Sequence, residues 1–121
     1  MAGYVDGFLI AVPTARMETY TQMAQLGKKI WLKYGALEYC ECKGDDVEGN
    51  EVNTSFPSLL NAGRDETIIF SYILFRDRKH RDEVNAKVMK DPEMTVPNEG
   101  MPFEMKRMSY GGFVPFVSGK K

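Results

Sequence analysis

Apolar positions along the chain follow two periods. Residues 4–12 (YVDGFLIAV) are rich in β-branched and aromatic side chains, broken only by Gly7, which predicts a first strand that Pro13 ends. Beyond it Met17, Tyr20, Met23, Ala24, Gly27, Ile30, Trp31 and Tyr34 recur at helical spacing, one face of a long helix. Thr14 is the expected N-cap, while Lys28, Lys29 and Lys33 oppose the negative end of the helix dipole and Gly35 supplies the stop. Residues 36–43 read as a second, more polar strand that ends at Gly44-Asp45-Asp46. The next stretch, about twenty residues, is long for a structureless loop, and 57–62 is expected to form a helical turn within it. Residues 66–75 (ETIIFSYILF) are the clearest strand. Asp77 can cap a second long helix, with a thin stripe of Val84, Val88 and Met89, that runs to about Lys90 and stops at Asp91-Pro92. Prolines 92, 97 and 102 and Gly100 mark 92–106 as loop, and 107–117 is expected as a last strand bent at Gly111-Gly112.

Strand, helix, strand, strand, helix, strand is the ferredoxin-like β-α-β-β-α-β order, an α+β fold with a four-stranded antiparallel sheet and both helices on one face. The expectation is one domain over residues 1–117 with a frayed tail at 118–121. A sheet covered on one side should be polar on the other. Here Ile68, Phe70, Tyr72 and Leu74 form one face of the third strand while Ile69, Ser71, Ile73 and Phe75 form the other. The first strand likewise sets Phe8, Ile10 and Val12 against Val5, Leu9 and Ala11. Two helices cannot cover both faces, so a homodimer is expected, with a second copy of the sheet closing a dimeric barrel.

Composition narrows the partners. In 121 residues, 43% are hydrophobic and 27% charged, ordinary for a folded chain. Sixteen Lys plus Arg against 17 Asp plus Glu leave a net charge of -1, which argues against nucleic acid. The apolar run 8–12 is too short to span a bilayer and lacks the flanks of a signal peptide, so a cytoplasmic protein without membrane association is expected. Cys40 and Cys42 form no disulfide framework and lack the second half of a zinc site; buried structural thiols in a reducing cytosol are the expected reading.

Asp6 is the leading candidate for chemistry. It shares a strand face with Phe8 and Ile10, and a carboxylate packed between sheet and helices is costly unless paired. It is therefore expected to point into the barrel between subunits, as a general base or ligand anchor; the alternative is an edge-of-strand acid reaching solvent or an interface arginine. Ser71 interrupts an apolar strand and Tyr110 precedes the Gly-Gly bend, so both are candidates for the same cavity, against the commoner fate of a hydrogen-bonded core hydroxyl. His80 is the single histidine, too few for a histidine metal centre, and is expected at the surface or as a cap. Arg76, Arg78, Lys79 and Arg81 open the second long helix, expected as a solvated face with an anion site as the sharper alternative. The acidic stretch 45–51 does not match a calcium loop. No metal or cofactor is expected.

Four segments carry a family resemblance: Tyr4-Val5-Asp6-Gly7-Phe8, Thr54-Ser55-Phe56-Pro57, Asp65-Glu66-Thr67, and Met101-Pro102-Phe103 through Lys106-Arg107-Met108 to Tyr110-Gly111-Gly112-Phe113. Together they resemble the YbaA-like family, bacterial proteins of unknown function in the dimeric α+β barrel superfamily. Glu104-Met105 stands where that family often has Asp-Gly. The resemblance implies the barrel dimer; its superfamily includes cofactor-independent monooxygenases, haem-degrading enzymes, lactone isomerases and ligand-sensing domains. A signal-recognition-particle RNA label on some relatives finds no support in charge or motif. The expected function is binding of a small, largely apolar organic molecule between sheet and helices or between sheets, with a cofactor-independent monooxygenase- or isomerase-like activity as an option, Asp6 as anchor, Ser71 and Tyr110 as secondary contacts and the 92–106 loop as lid. The alternative is a non-catalytic regulatory or structural dimer whose barrel is filled by its own side chains.

Overall fold

The two longest β-branched runs become the central strands. A computed structural model describes residues 3–121, with β1 (Tyr4–Pro13), α1 (Met17–Lys33), β2 (Glu38–Lys43), α2 (Phe56–Leu59), β3 (Glu66–Phe75), α3 (Arg78–Lys90) and β4 (Ser109–Phe113). The sheet order is β2-β3-β1-β4, antiparallel throughout, with β1 and β3 in register from Tyr4 opposite Phe75 to Pro13 opposite Glu66. This is the ferredoxin-like α+β architecture the element order predicts.

The two-residue period decides what each face meets. Tyr4, Ile73 and Phe75 pack with Ile30 of α1 and with Val84 and Val88 of α3. Ile10, Val12 and Ile69 pack with Tyr20 and Met23 of α1. Each fully buried side chain of this size contributes about 1.5–3 kcal/mol of transfer free energy, which fixes the long helices on this face. The opposite face carries a third, smaller cluster: Ala11 and Ile68 lie under Leu60, with Val47 and Ala62 at its edge. The long β2–β3 connection thus covers one end of the outer face itself, a partial second layer that the expectation of two helices on one side did not include. The rest stays open, and Phe70 is 49% and Phe113 61% exposed.

Several local expectations are corrected by competing contacts. Thr14 does not cap α1; residues Thr14–Arg16 form a 3₁₀ turn, and the Thr14 side chain meets the Thr67 hydroxyl at 2.9 Å. Pairing with β3 wins over capping. β2 begins at Glu38, because the Ala36 amide donates to the Trp31 carbonyl and closes the helix. β4 is shorter than 107–117 because Met105–Arg107 forms a 3₁₀ turn whose Arg107 is drawn away. Its guanidinium donates to both Glu66 carboxylate oxygens at 2.8 Å and to the Leu60 and Asn61 carbonyls. Asp77 does cap α3, accepting from the His80 amide at 2.7 Å. His80 is buried rather than at the surface: its Nδ1 accepts from the Arg76 amide at 3.0 Å and its ring meets Phe75 edge-on. Cys40 is half-buried and Cys42 exposed, not core thiols, because the outer face they occupy has no covering layer there.

The ends of the two long helices are joined through Asp91. It accepts from the Tyr34 hydroxyl at 2.6 Å, Lys33 Nζ at 3.1 Å and the Glu93 amide at 2.8 Å. The Tyr34 hydrogen bond first, then the Glu93 amide and Lys33, hold its carboxyl down at about 2, from an ordinary value of 3.8. A lowered folded-state value means stability that is full above the unfolded value and lost as pH falls through the folded one. Between about pH 4 and pH 2 the urea midpoint of the wild type should therefore fall more steeply than that of Asp91→Asn; parallel curves would show that this carboxylate does not contribute.

Candidate functional site

Register across the sheet brings the candidate residues together. On the helix-facing side, Glu41, Ser71, Phe8 and Tyr110 form one row across all four strands, and Tyr39, Ile73, Asp6 and Gly112 form the next. Over these rows α1 and α3 diverge and leave a cavity of about 430 Å³. Asp6, Ser71 and Tyr110 all line it. Met23 and Trp31 come from α1, Asn85 and Met89 from α3.

The loop between α3 and β4 supplies the remaining wall through Met94, Val96, Met101 and Phe103. Arg16 holds this loop down, donating to the carbonyls of Met101 at 2.8 Å, Gly100 at 3.2 Å and Glu99 at 3.3 Å. Lys29 pairs with Glu93 at its other end, at 3.1 Å. Of the eight methionines in the chain, Met23, Met89, Met94, Met101, Met105 and Met108 face the cavity, unbranched side chains that adapt to irregular occupants.

Asp6 does not point to the outer face of the sheet, where a second copy is expected. It turns toward the helices, 1% exposed, because the arginine that makes burial tolerable comes from α3 of the same chain. Arg81 Nη1 donates to Asp6 Oδ1 at 2.6 Å, and the guanidinium lies over the Tyr4 ring, 4.8 Å from its centroid. Gly112 sits opposite Asp6, and a Cβ there would collide with the Tyr4 hydroxyl. Burial pushes the Asp6 carboxyl upward, and the Arg81 charge and the Asn85 side chain oppose it. Asn85 is itself oriented by Trp31, whose Nε1 donates to its Oδ1 at 2.9 Å. Arg81 therefore leaves the basic cluster of α3, whereas Arg76, Arg78 and Lys79 are exposed as expected.

Ser71 is buried between Phe8 and Glu41. Tyr110 stands at the mouth, half-exposed and stacked on Phe8 at 5.3 Å. The polar group absent from the sequence reading is Glu41. It accepts from the Tyr20 hydroxyl at 2.6 Å and the Tyr39 hydroxyl at 2.8 Å, and burial first, then the carboxylate, pushes both phenols well above their usual range. The signal was Tyr39-x-Glu41, two polar residues on one strand face opposite the Tyr20 position of the helix stripe. Among the described residues no group of three His, Cys, Asp or Glu could hold a metal ion, and no helix is long and apolar enough to cross a membrane.

Comparison with known proteins agrees with this architecture. In solved structures, the chain superposes on an uncharacterized NIPSNAP domain protein from Burkholderia xenovorans with a TM-score of 0.51, at 13% identity over 98% of this chain and 99% of that one. That likeness concerns the fold alone. The uncharacterized protein YbaA of Escherichia coli K12 is 41% identical over 114 residues, 94% of this chain and 97% of its own, and the YbaA of Shigella flexneri matches equally. The profile described as protein of unknown function (DUF1428) matches residues 3–105. With its profile covering most of the fold, and with relatives aligned over nearly their whole length, this chain belongs to the DUF1428 family.

Proposed function

We propose that the protein is a homodimer that binds a small, largely apolar organic molecule in the cavity between the sheet and the two long helices. The observation that supports this reading is the cavity itself. Its volume of about 430 Å³ lies within the range of small-molecule sites, roughly 300–1,000 Å³. Its wall is mostly aromatic and thioether, with a few convergent polar groups, the pattern of such sites rather than of a barrel filled by its own side chains. In this reading Asp6 is the buried anchor, Ser71 and Tyr110 are secondary contacts, and the loop over residues 92–106 is the lid. Binding is placed ahead of catalysis because Arg81 already compensates the Asp6 charge, which makes it a poor mobile base. The non-catalytic dimer is the competing reading, and an unoccupied, unresponsive cavity would favour it.

The dimer rests on the outer face of the sheet. Val5, Leu9, Phe70, Leu74 and Phe113 lie on that side, and the Phe113 ring lies over Gly7 and Gly111, which face each other between β1 and β4. Sedimentation at micromolar concentration should give a dimer of the 13.7 kDa chain, burying about 2,000 Å² or more in total. Phe70→Asp should shift it to monomer; a wild-type monomer at that concentration would remove this part of the proposal.

Asp6 separates anchoring from support. Asp6→Asn removes the buried partner of Arg81 and leaves it only the exposed Asp82, so stability should fall by about 3 kcal/mol in urea denaturation. Asp6→Asn with Arg81→Gln should recover part of that loss, since the uncompensated charge is then gone. Thermal-shift screening of the double variant against a metabolite set that stabilises the wild type then reads the anchor alone. Shifts lost for wild-type ligands support anchoring, and shifts retained in full limit Asp6 to holding β1 to α3.

A further inference from the structure

Among the described residues only two side chains lining the cavity carry a formal charge, and both are carboxylates: Asp6 and Glu41. No lysine, arginine or histidine among the described residues lines it. Asp6 is compensated from behind by Arg81 at 2.6 Å. Glu41 forms no ion pair among the described residues; its two close partners are the hydroxyls of Tyr20 and Tyr39, neutral donors. Lys28 and Lys43 line an adjoining groove that shares Tyr20, Tyr39 and Glu41 with the cavity, and among the described residues neither forms an ion pair with Glu41. The cavity therefore presents one carboxylate without a cation inside a largely apolar wall.

The surroundings of that carboxylate are aromatic. Tyr20 and Tyr39 flank it through their hydrogen bonds, and the Trp31 ring lies 6.1 Å from that of Tyr39, centroid to centroid. Both tyrosines, Trp31 and Glu41 line the same cavity. A carboxylate has about four lone-pair sites, of which the two phenols take two, so acceptor capacity is left over. Aromatic rings attract cations more strongly than neutral groups, and a cation entering this region meets aromatic side chains and a carboxylate that no cation pairs with. An anion would meet that charge as a cost.

Resting on the reading of the cavity as a ligand site, we propose that its occupant is an organic cation: an ammonium group on an apolar body, with the charge seated at Glu41 among Tyr20, Tyr39 and Trp31 and the body lying along the methionine-lined wall under the loop. The Tyr20 and Tyr39 hydroxyls hold Glu41 at a fixed position and so act as positioning residues for that contact.

Three probes of closely similar shape test it with the intact protein: phenethylammonium, phenethyl alcohol and phenylacetate, titrated by calorimetry at neutral pH and low salt. The ammonium should bind about tenfold more tightly than the alcohol, as a charge-assisted contact does relative to a neutral one, and phenylacetate should bind most weakly. Glu41→Gln should lower the ammonium affinity about tenfold and leave that of the alcohol little changed. Alcohol or phenylacetate binding as tightly as the ammonium would overturn the cation assignment while leaving the cavity as a ligand site. Binding by none of the three would count against the cavity as a site for molecules of this size and against the assignment with it. Should Glu41→Gln fail to fold, as judged by circular dichroism, the wild-type ranking of the three probes decides alone.

Discussion

The buried pair between Asp6 and Arg81 is the contact on which the rest of the arrangement depends. A carboxylate in the middle of the central strand is costly beneath a helical layer, and the guanidinium that offsets the cost can come only from a side chain long enough to reach across that layer. Arg81 does so with its plane against Tyr4 and its Nε on Asp82 at 2.8 Å. The pair thereby sets where the first turn of α3 crosses β1. Further along α3, Val84 and Val88 complete the core on one side while Asn85 and Met89 turn toward the hollow between the helices.

That hollow is a consequence of topology. Two helices over four strands cannot cover every row, and the row from Glu41 to Tyr110 lies under the gap. The chain closes it with the long segment after α3, which has little regular structure beyond the 3₁₀ turn at Met105–Arg107 and relies on arginines and carbonyls instead. Arg16 fastens the segment near Met101, and Arg107 fastens its end to Glu66 and to the α2 turn. Guanidinium groups suit this task because one fork satisfies several carbonyls that would otherwise be left unpaired.

Much of the fold was legible because it depends on periodicity. The β-branched runs, the helical stripe from Met17 to Tyr34, the Asp77 cap and the final loop are all local signals. A shared cavity for Asp6, Ser71 and Tyr110 was expected too, but between subunits; alternation gives each residue a face of its own strand, and the register across β3, β1 and β4 decides that the faces coincide under the helices. The direction in which Asp6 points was not legible, because its partner lies 75 positions away and Arg81 reads in sequence as one of four exposed basic residues. The same holds for Glu41, whose role comes from two tyrosines on different elements. The short outer layer was missed because Leu60 and Ile68 meet through a connection with little sequence signature. His80 looked like a surface residue for a related reason: its burial follows from the Phe75 ring and the turn at Arg76, neither of which a helical pattern reveals.

One feature of the cavity wall bears on how the molecule is seen in solution. The chain contains a single tryptophan, Trp31, and it stands in that wall with its indole N–H on Asn85. The intrinsic indole emission therefore originates at one known place, beside Tyr39 and Asn85 in the cavity wall. Changes in its colour or quenching are a report from inside the hollow, and the protein carries its own optical probe of whatever occupies it.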